Sequence, residues 1–321
     1  MKTYMSILTE DDWDDYLDEQ DRAGRPRPNR ARTASTPIDE VALLAAGNPE
    51  SDFNPSFTGS RHEREWILTY LGPFYADALI TDVLRAVKGG KEATVYACRA
   101  HPSTGLAMIA AKVYRPKAFR TFKNDADYKS GRELLDPDGK PIRDSRIAKA
   151  VAQGTRTGEA ASHASWLAHE FGTMQLLHEL GADVPRPVAL GENAMLMSYL
   201  GDEYEPAPTL SEVRIPREQA DLLFRRLLRN VELMLEHDRI HGDLSAYNVL
   251  YWEGDVTIID FPQVIDAYRN REAFSFLRRD VERLCEYFAR YGVRADGARI
   301  ARDMWSRAMP DETRQVRGSR W

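Results

Sequence analysis

The chain has 321 residues, 43% apolar and 29% charged, enough for a full hydrophobic core in one two-lobed domain or two smaller ones. The formal net charge of −6 is uneven: residues 1–59 hold 12 acidic and 6 basic side chains, leaving 38 of each in the remainder, which excludes a strongly basic nucleic-acid-binding body. Two cysteines, Cys98 and Cys285, cannot build a disulfide framework or a cysteine zinc site, and no apolar run reaches the roughly 18 residues of a membrane span.

The acidic start, Met1 to Asp15, lacks the basic and apolar regions of a signal peptide, so a cytoplasmic protein without a membrane partner is expected. Of the 44 basic residues 35 are Arg, a bias expected of a GC-rich bacterial genome. In chain order, residues 1–60 mix acidic, Arg/Pro and Asn-Pro segments without an apolar period and are expected to form a disordered charged arm. Its cluster Arg22, Arg25, Arg27, Arg30 and Arg32 is where contact with nucleic-acid phosphates is expected, if anywhere.

Trp66, Ile67, Tyr70, Leu71, Phe74 and Tyr75 then recur at helical spacing. A second apolar stretch, Leu79 to Val87, precedes short strands at Ala93–Arg99 and Met108–Tyr114, joined in hairpin fashion by the turn-rich His101-Pro-Ser-Thr-Gly105. Residues 115–160 are charged and contain Gly131, Pro137, Gly139, Gly154 and Gly158, the pattern of a long irregular insertion. A helix is expected from about Ser162 to Leu180, closed by Gly181 as a left-handed cap. Strands follow at Val188–Leu190 and Ala194–Leu200, then a long helix at Pro216–His237. This order describes an α+β fold, a small sheet lobe followed by a helical lobe.

The chemistry concentrates in residues 241–262, HGDLSAYNVLYWEGDVTIIDFP. Asp243 and Asn248 lie five residues apart in a loop directly after the long helix. Two apolar strands, Val249–Trp252 and Val256–Ile259, flank the hairpin turn Glu253-Gly254-Asp255, so Asp260 returns to the mouth of the same loop. One carboxylate free to accept a hydroxyl proton, with an amide and a second carboxylate to hold Mg²⁺ against phosphates, is what phosphoryl transfer from ATP requires. Taken singly, each residue is also an ordinary loop cap or turn former. The three together at this spacing favour phosphoryl transfer.

This loop resembles that of the RIO family of atypical serine/threonine protein kinases, whose catalytic loop reads H-x-D-L-S-x-Y-N and whose metal loop begins I-D. Gly242 stands where ordinary protein kinases carry Arg, and Ser245 with Tyr247 gives the RIO form. A second match, Gly90-Lys91-Glu92-Ala93-Thr94-Val95-Tyr96, is similar to the family's phosphate loop G-K-E-A-x-V-Y, although by itself it reads equally well as a tight turn between strands. Phe122-Lys-Asn-Asp-Ala-Asp-Tyr128 is similar to the family's flexible loop, and Phe276-Leu-Arg-Arg-Asp280 to its last helical motif.

The resemblance implies a two-lobed protein-kinase-like fold, with an N-terminal helix and β-rich N-lobe over residues 61–197. A hinge and reduced helical C-lobe with a tail would occupy 198–321. An extended activation segment has no room, since about a dozen residues separate Pro262 from the helix near Phe274. The resemblance also implies ATP and Mg²⁺ as cofactors, Asp243 as catalytic base, Asn248 and Asp260 as metal ligands, and Gly90, Lys91, Glu92 and Val95 around the phosphates. Lys112 would meet the α- and β-phosphates and pair with Glu170 of the Ser162–Leu180 helix. Met197 would guard the back of the adenine pocket, and backbone groups of Ser198 and Leu200 would bond the base. His241 and Asp280 would brace the loop without reacting.

The implied activity is transfer of the γ-phosphoryl group to a protein Ser/Thr or to the kinase itself, or ATP hydrolysis coupled to binding. The acceptor is an unknown protein, with the ribosomal subunit as candidate partner. Two alternatives stand beside it: a small-molecule phosphotransferase of the aminoglycoside or choline kinase kind, which also carries H-G-D, and a nucleotide-binding scaffold without turnover. Phe261-Pro262, where ordinary kinases have Phe-Gly, is expected to stiffen the metal loop.

Overall fold

The computed structural model describes residues 52–90, 92–114, 133–136 and 139–309. The chain divides into two compact units, Met1–Pro116 with Ala189–Leu196, and Lys117–Val188 with Met197–Trp321. Read from sequence, residues 117–188 fall in the N-lobe; in the structure the described residues among them, 133–136 and 139–188, group with the second unit. Asp183 shows why, since its N–H donates to Asn230 Oδ1 at 2.8 Å and its C=O accepts from Ile258 N–H at 2.8 Å.

The first unit opens on helix α1 (Arg61–Ala76), whose N-cap Ser60 accepts from Glu63 N–H. Strands β1 (Ile80–Gly89), β2 (Ala93–Ala100) and β3 (Met108–Tyr114) follow, and with β4 (Pro187–Leu190) and β5 (Ala194–Ser198) they form a sheet of order β1-β2-β3-β5-β4. Ile67, Leu71 and Phe74, three and four residues apart on α1, are fully buried, as are Ile80, Val83 and Ile109. Tyr96 is buried among them and donates its hydroxyl to Glu63 Oε1 at 2.8 Å, which satisfies the one polar atom its ring brings inside.

Residues 1–51 of the expected arm, including the Arg22–Arg32 cluster, lie outside the described residues. Its last residues run against the first unit: Phe53 is buried and stacks on Tyr75 with ring centroids 4.7 Å apart, and Phe57 N–H donates to Val83 C=O at 2.9 Å.

In the second unit, helices α2 (Ser145–Ala152) and α3 (Arg156–Glu179) occupy ground expected to be irregular up to residue 160. Asp144 caps α2 by accepting from Arg146 N–H at 2.7 Å, and Thr155 caps α3 by accepting from Gly158 N–H at 3.2 Å. Gly154 and Gly158, two of the glycines that suggested a loop, serve different ends. Gly154, at φ +63, turns the chain between the helices, and Gly158 lets them touch, since a Cβ there would fall 2.1 Å from Ala150 C=O. Gly181 takes the left-handed conformation expected of it, at φ +77. Residues 115–132, with the Phe122–Tyr128 motif, lie outside the described residues.

The rest of this unit comprises α4 (Arg217–Glu236), β6 (Arg239–Ile240), β7 (Val249–Trp252), β8 (Asp255–Ile258), β9 (Ile265–Asp266), α5 (Ala273–Ala289) and α6 (Gly297–Ala308). β6 pairs with β9 and β7 with β8, both antiparallel. Among the described residues no helix is long and apolar enough to cross a membrane. The connection from Asp260 to α5 is short and contains only the two-residue β9, as expected for a fold without an extended activation segment.

Candidate active site

The loop that carries Asp243 leaves β6 at His241 and ends in a single 3-10 turn, Ala246–Asn248. Gly242 adopts φ +82, and a Cβ on it would lie 2.5 Å from Gln263 C=O in the neighbouring metal-loop backbone. Both the left-handed dihedral and the close approach demand glycine, which accounts for H-G-D where ordinary kinases have Arg.

Helix α5 grips this loop from the side. Asp280 is 1% exposed; its Oδ2 accepts from Gly242 N–H at 2.8 Å and its Oδ1 from Leu244 N–H at 3.0 Å. Burial pushes the Asp280 carboxyl up to about 7, against the pull of those two donors and of Arg279 and Arg283. Arg279 donates to Gly242 C=O. His241 braces the loop in a different way: Nδ1 accepts from Asp243 N–H at 3.3 Å, and Nε2 donates to Ile259 C=O at 3.1 Å. Burial lowers the pKa of this imidazole despite the nearby charges of Asp260 and Asp243, in keeping with a neutral ring that positions and does not transfer protons.

Asp243 itself is half-exposed, and its Oδ1 accepts from Arg283 Nη1 on α5 at 2.8 Å. Asn248 Nδ2 donates to the Asp243 C=O at 3.0 Å and approaches Asp243 Oδ2 at 3.5 Å, so Asn248 Oδ1 is the amide atom left to ligate a cation. The β7–β8 hairpin that begins beside Asn248 turns through Glu253 at φ 51 and Gly254 at φ 89, the two left-handed residues of a type I′ turn. It brings Ile259 N–H back to Asn248 C=O at 3.0 Å, one residue before Asp260. Asp260 is exposed and holds a left-handed φ of 71, an uncommon conformation for a residue other than glycine and more often tolerated by Asp. Asp243, Asn248 and Asp260 are thus brought to one end of one hairpin, as their spacing suggested.

The oxygen donors of Asn248 and Asp260 suit a hard cation. Among the described residues no group of three or more His, Cys, Asp or Glu is placed to hold a metal alone. Two protein oxygens fit Mg²⁺, which keeps waters and shares phosphate oxygens instead of filling a protein cage.

The first unit carries the phosphate-loop candidates. Gly90 N–H donates to Ala93 C=O at 2.8 Å across the β1–β2 turn, and Val95 and Lys112 are direct cross-strand partners on β2 and β3. Lys112 Nζ lies 5.3 Å from the centroid of the Tyr114 ring, within cation–π range. Glu92 is in the same turn, and Lys91 lies outside the described residues.

Glu170 belongs to the second unit, on α3, and is 3% exposed, not the solvated side chain that a lone helix glutamate would be. Met197 and Ser198 end β5. Ser198 N–H donates to Arg186 C=O at 2.8 Å, and Leu200 C=O accepts from Ala207 N–H at 3.0 Å. Arg279 and Arg283 escaped the motif reading of this site. Arg279 sat within the matched Phe276–Asp280 stretch without a role, and Arg283 is an ordinary helix arginine until the fold carries α5 to the loop.

The RIO domain family model matches residues 94–300. The serine/threonine-protein kinase RIO1 of Chaetomium thermophilum is 30% identical over 226 residues, covering 67% of this chain and 41% of that protein. The RIO-type serine/threonine-protein kinase Rio1 of Haloferax volcanii is 30% identical over 212 residues, 66% of this chain and 64% of that protein. The chain therefore spans less than two thirds of the length of these curated relatives. Among solved structures, the Rio2 kinase-ADP/Mg²⁺-phosphoaspartate complex from Chaetomium thermophilum shares the fold, with a TM-score of 0.51 and 19% identity over 96% of this chain and 94% of that one. The family model spans more than half of the sequence and includes the loop, hairpin and α5 helix described above, and on that ground the chain belongs to the RIO domain family.

Proposed function

We propose that the chain is a Mg-ATP-dependent RIO-type protein kinase or ATPase that transfers the γ-phosphoryl group to a protein Ser/Thr, to itself or to water. The observation that carries this reading is the clamped loop, in which Asp243 keeps Oδ2 for an acceptor hydroxyl while Asn248 Oδ1 and Asp260 stand at the open end of the hairpin. When bound, Mg²⁺ neutralises phosphate charge and ATP supplies the phosphoryl group. Asp243 accepts the hydroxyl proton at Oδ2. Asn248 and Asp260 hold the cation, and Gly90, Lys91, Glu92, Val95 and Lys112 hold the phosphates, while Glu170 is the carboxylate whose loss should lower turnover. Met197 backs the adenine. With Ser198 N–H and Leu200 C=O already engaged, the base falls to Ser198 C=O and Leu200 N–H.

Family membership favours this over a small-molecule phosphotransferase, and the Rio2 complex with ADP and Mg²⁺ supports a Mg-nucleotide as ligand. The proposed location is the cytoplasm. A small ribosomal subunit is the first protein acceptor to test, with the Arg22–Arg32 cluster as the segment whose charge favours it.

The test is label transfer or hydrolysis with γ-labelled ATP in Mg²⁺. Asp243→Asn should lower turnover by roughly 10²- to 10⁴-fold with ATP binding nearly intact. Asp243→Asn protein that labels at the wild-type rate would remove the assignment. Lys112→Met should weaken ATP binding and nearly eliminate turnover, whereas Glu170→Gln should lower turnover alone; wild-type behaviour of Glu170→Gln would detach Glu170 from Lys112.

A further inference from the structure

We infer that Arg283 is a positioning residue for the catalytic base, so that α5 sets both the backbone and the side chain of Asp243. Three α5 residues contact three consecutive loop residues: Arg279 the C=O of Gly242, Asp280 the N–H groups of Gly242 and Leu244, and Arg283 the carboxylate of Asp243. Asp280 and Arg283 are three apart and share a helix face, which lets one rigid element make both contacts.

The Arg283 contact acts on orientation. Both side chains of the pair are about two-fifths exposed, at 38% and 41%, and an ion pair that wet contributes little to stability. A half-exposed loop aspartate without a partner is free to change rotamer. A guanidinium nitrogen 2.8 Å from Oδ1 fixes the plane of the carboxylate and assigns the two oxygens, Oδ1 to the helix and Oδ2 to the acceptor. Among the described residues, Oδ2 has only the 3.5 Å approach of Asn248 Nδ2, which leaves it room for an incoming hydroxyl.

This inference rests on the proposed phosphoryl transfer, and the experiment separates the two. Arg283→Met should lower kcat about 10- to 100-fold, the scale of a misplaced catalytic group. KM for Mg-ATP should stay within about twofold, and Arg283→Lys should restore part of kcat, neither of which a merely structural role predicts. In an Asp243→Asn background Arg283→Met should cost nothing further. A crystal structure of the nucleotide-free Arg283→Met protein should show Asp243 in more than one rotamer, a readout independent of turnover. If Met at this site lowers the melting temperature, Arg283→Gln repeats the comparison with a polar head in place. Wild-type kcat in these variants, or a single unchanged Asp243 rotamer, overturns the positioning role and leaves the kinase reading standing. Absence of turnover in the wild type overturns the kinase reading, and the rotamer count then decides the role of Arg283.

Discussion

The loop over residues 241–248 and the turn between β1 and β2 both hold residues proposed to serve phosphoryl transfer, yet their backbones are satisfied in opposite ways. In the turn, Gly89 pairs with Thr94 and Gly90 N–H reaches Ala93 C=O, so the strands that make the turn also stabilise it. In the loop, the amides of Gly242 and Leu244 find no strand and are held by Asp280, some forty residues later on a helix. A turn closed by its own ladder tolerates local change. A loop held by remote side chains transmits each change to the residue between its anchors, which is Asp243.

The same glycine-to-alanine substitution should separate the two regions most sharply. Gly242→Ala places a Cβ 2.5 Å from Gln263 C=O at φ +82 and should cost about 3 kcal/mol, read as a fall in unfolding free energy, with turnover lost in parallel. Next in size is Asp280→Asn, which turns one of the two oxygens that accept from Gly242 and Leu244 into an NH₂ donor, leaves that buried N–H without an acceptor, and should cost about 2 kcal/mol.

The pH dependence of that cost has a definite sign. The Asp280 carboxyl sits at about 7 in the folded protein against its ordinary 3.8, so between those values the native state keeps a proton that the unfolded chain has released. Wild-type stability from this group therefore declines as pH rises through that window. The penalty of Asp280→Asn should shrink between about pH 4 and pH 7 in denaturant titrations and level off above, and a penalty that stays flat across that window would mean the carboxyl is not raised. Smallest is Gly90→Ala, whose Cβ would lie 3.2 Å from Ala93 C=O without a left-handed dihedral; it should change stability by less than about 1 kcal/mol. A drop comparable to that of Gly242→Ala would erase the contrast.

The same contrast explains what could be read before the fold was known. Asp243, Asn248 and Asp260 were legible because a loop and a two-residue hairpin turn keep them within eighteen residues of sequence, and local rules govern such distances. The α1 stripe and the β2–β3 pairing were legible for the same reason. Asp280 was reached only through its match to a family motif, and Arg283 not at all, since nothing on a helix announces which distant loop it will touch. Residues 145–160 were misread for a subtler cause. Gly154 and Gly158 looked like loop formers, but only Gly154 serves a turn; Gly158 is small because Ala150 of the adjacent helix is there. Composition records that a residue is glycine, and packing decides whether conformation or volume is the reason.

The hydrogen bond from Ile259 N–H to Asn248 C=O closes the β7–β8 ladder at the end where the two proposed cation ligands emerge. The hairpin is therefore a gauge whose jaws are set by main chain and whose handle, Glu253-Gly254, is at the far end. Extra residues inserted in the handle add closure entropy only logarithmically and do not enter the jaws. The tip is accordingly the place in this unit to graft a reporter peptide, because the spacing between Asn248 and Asp260 is fixed by bonds that the graft leaves alone.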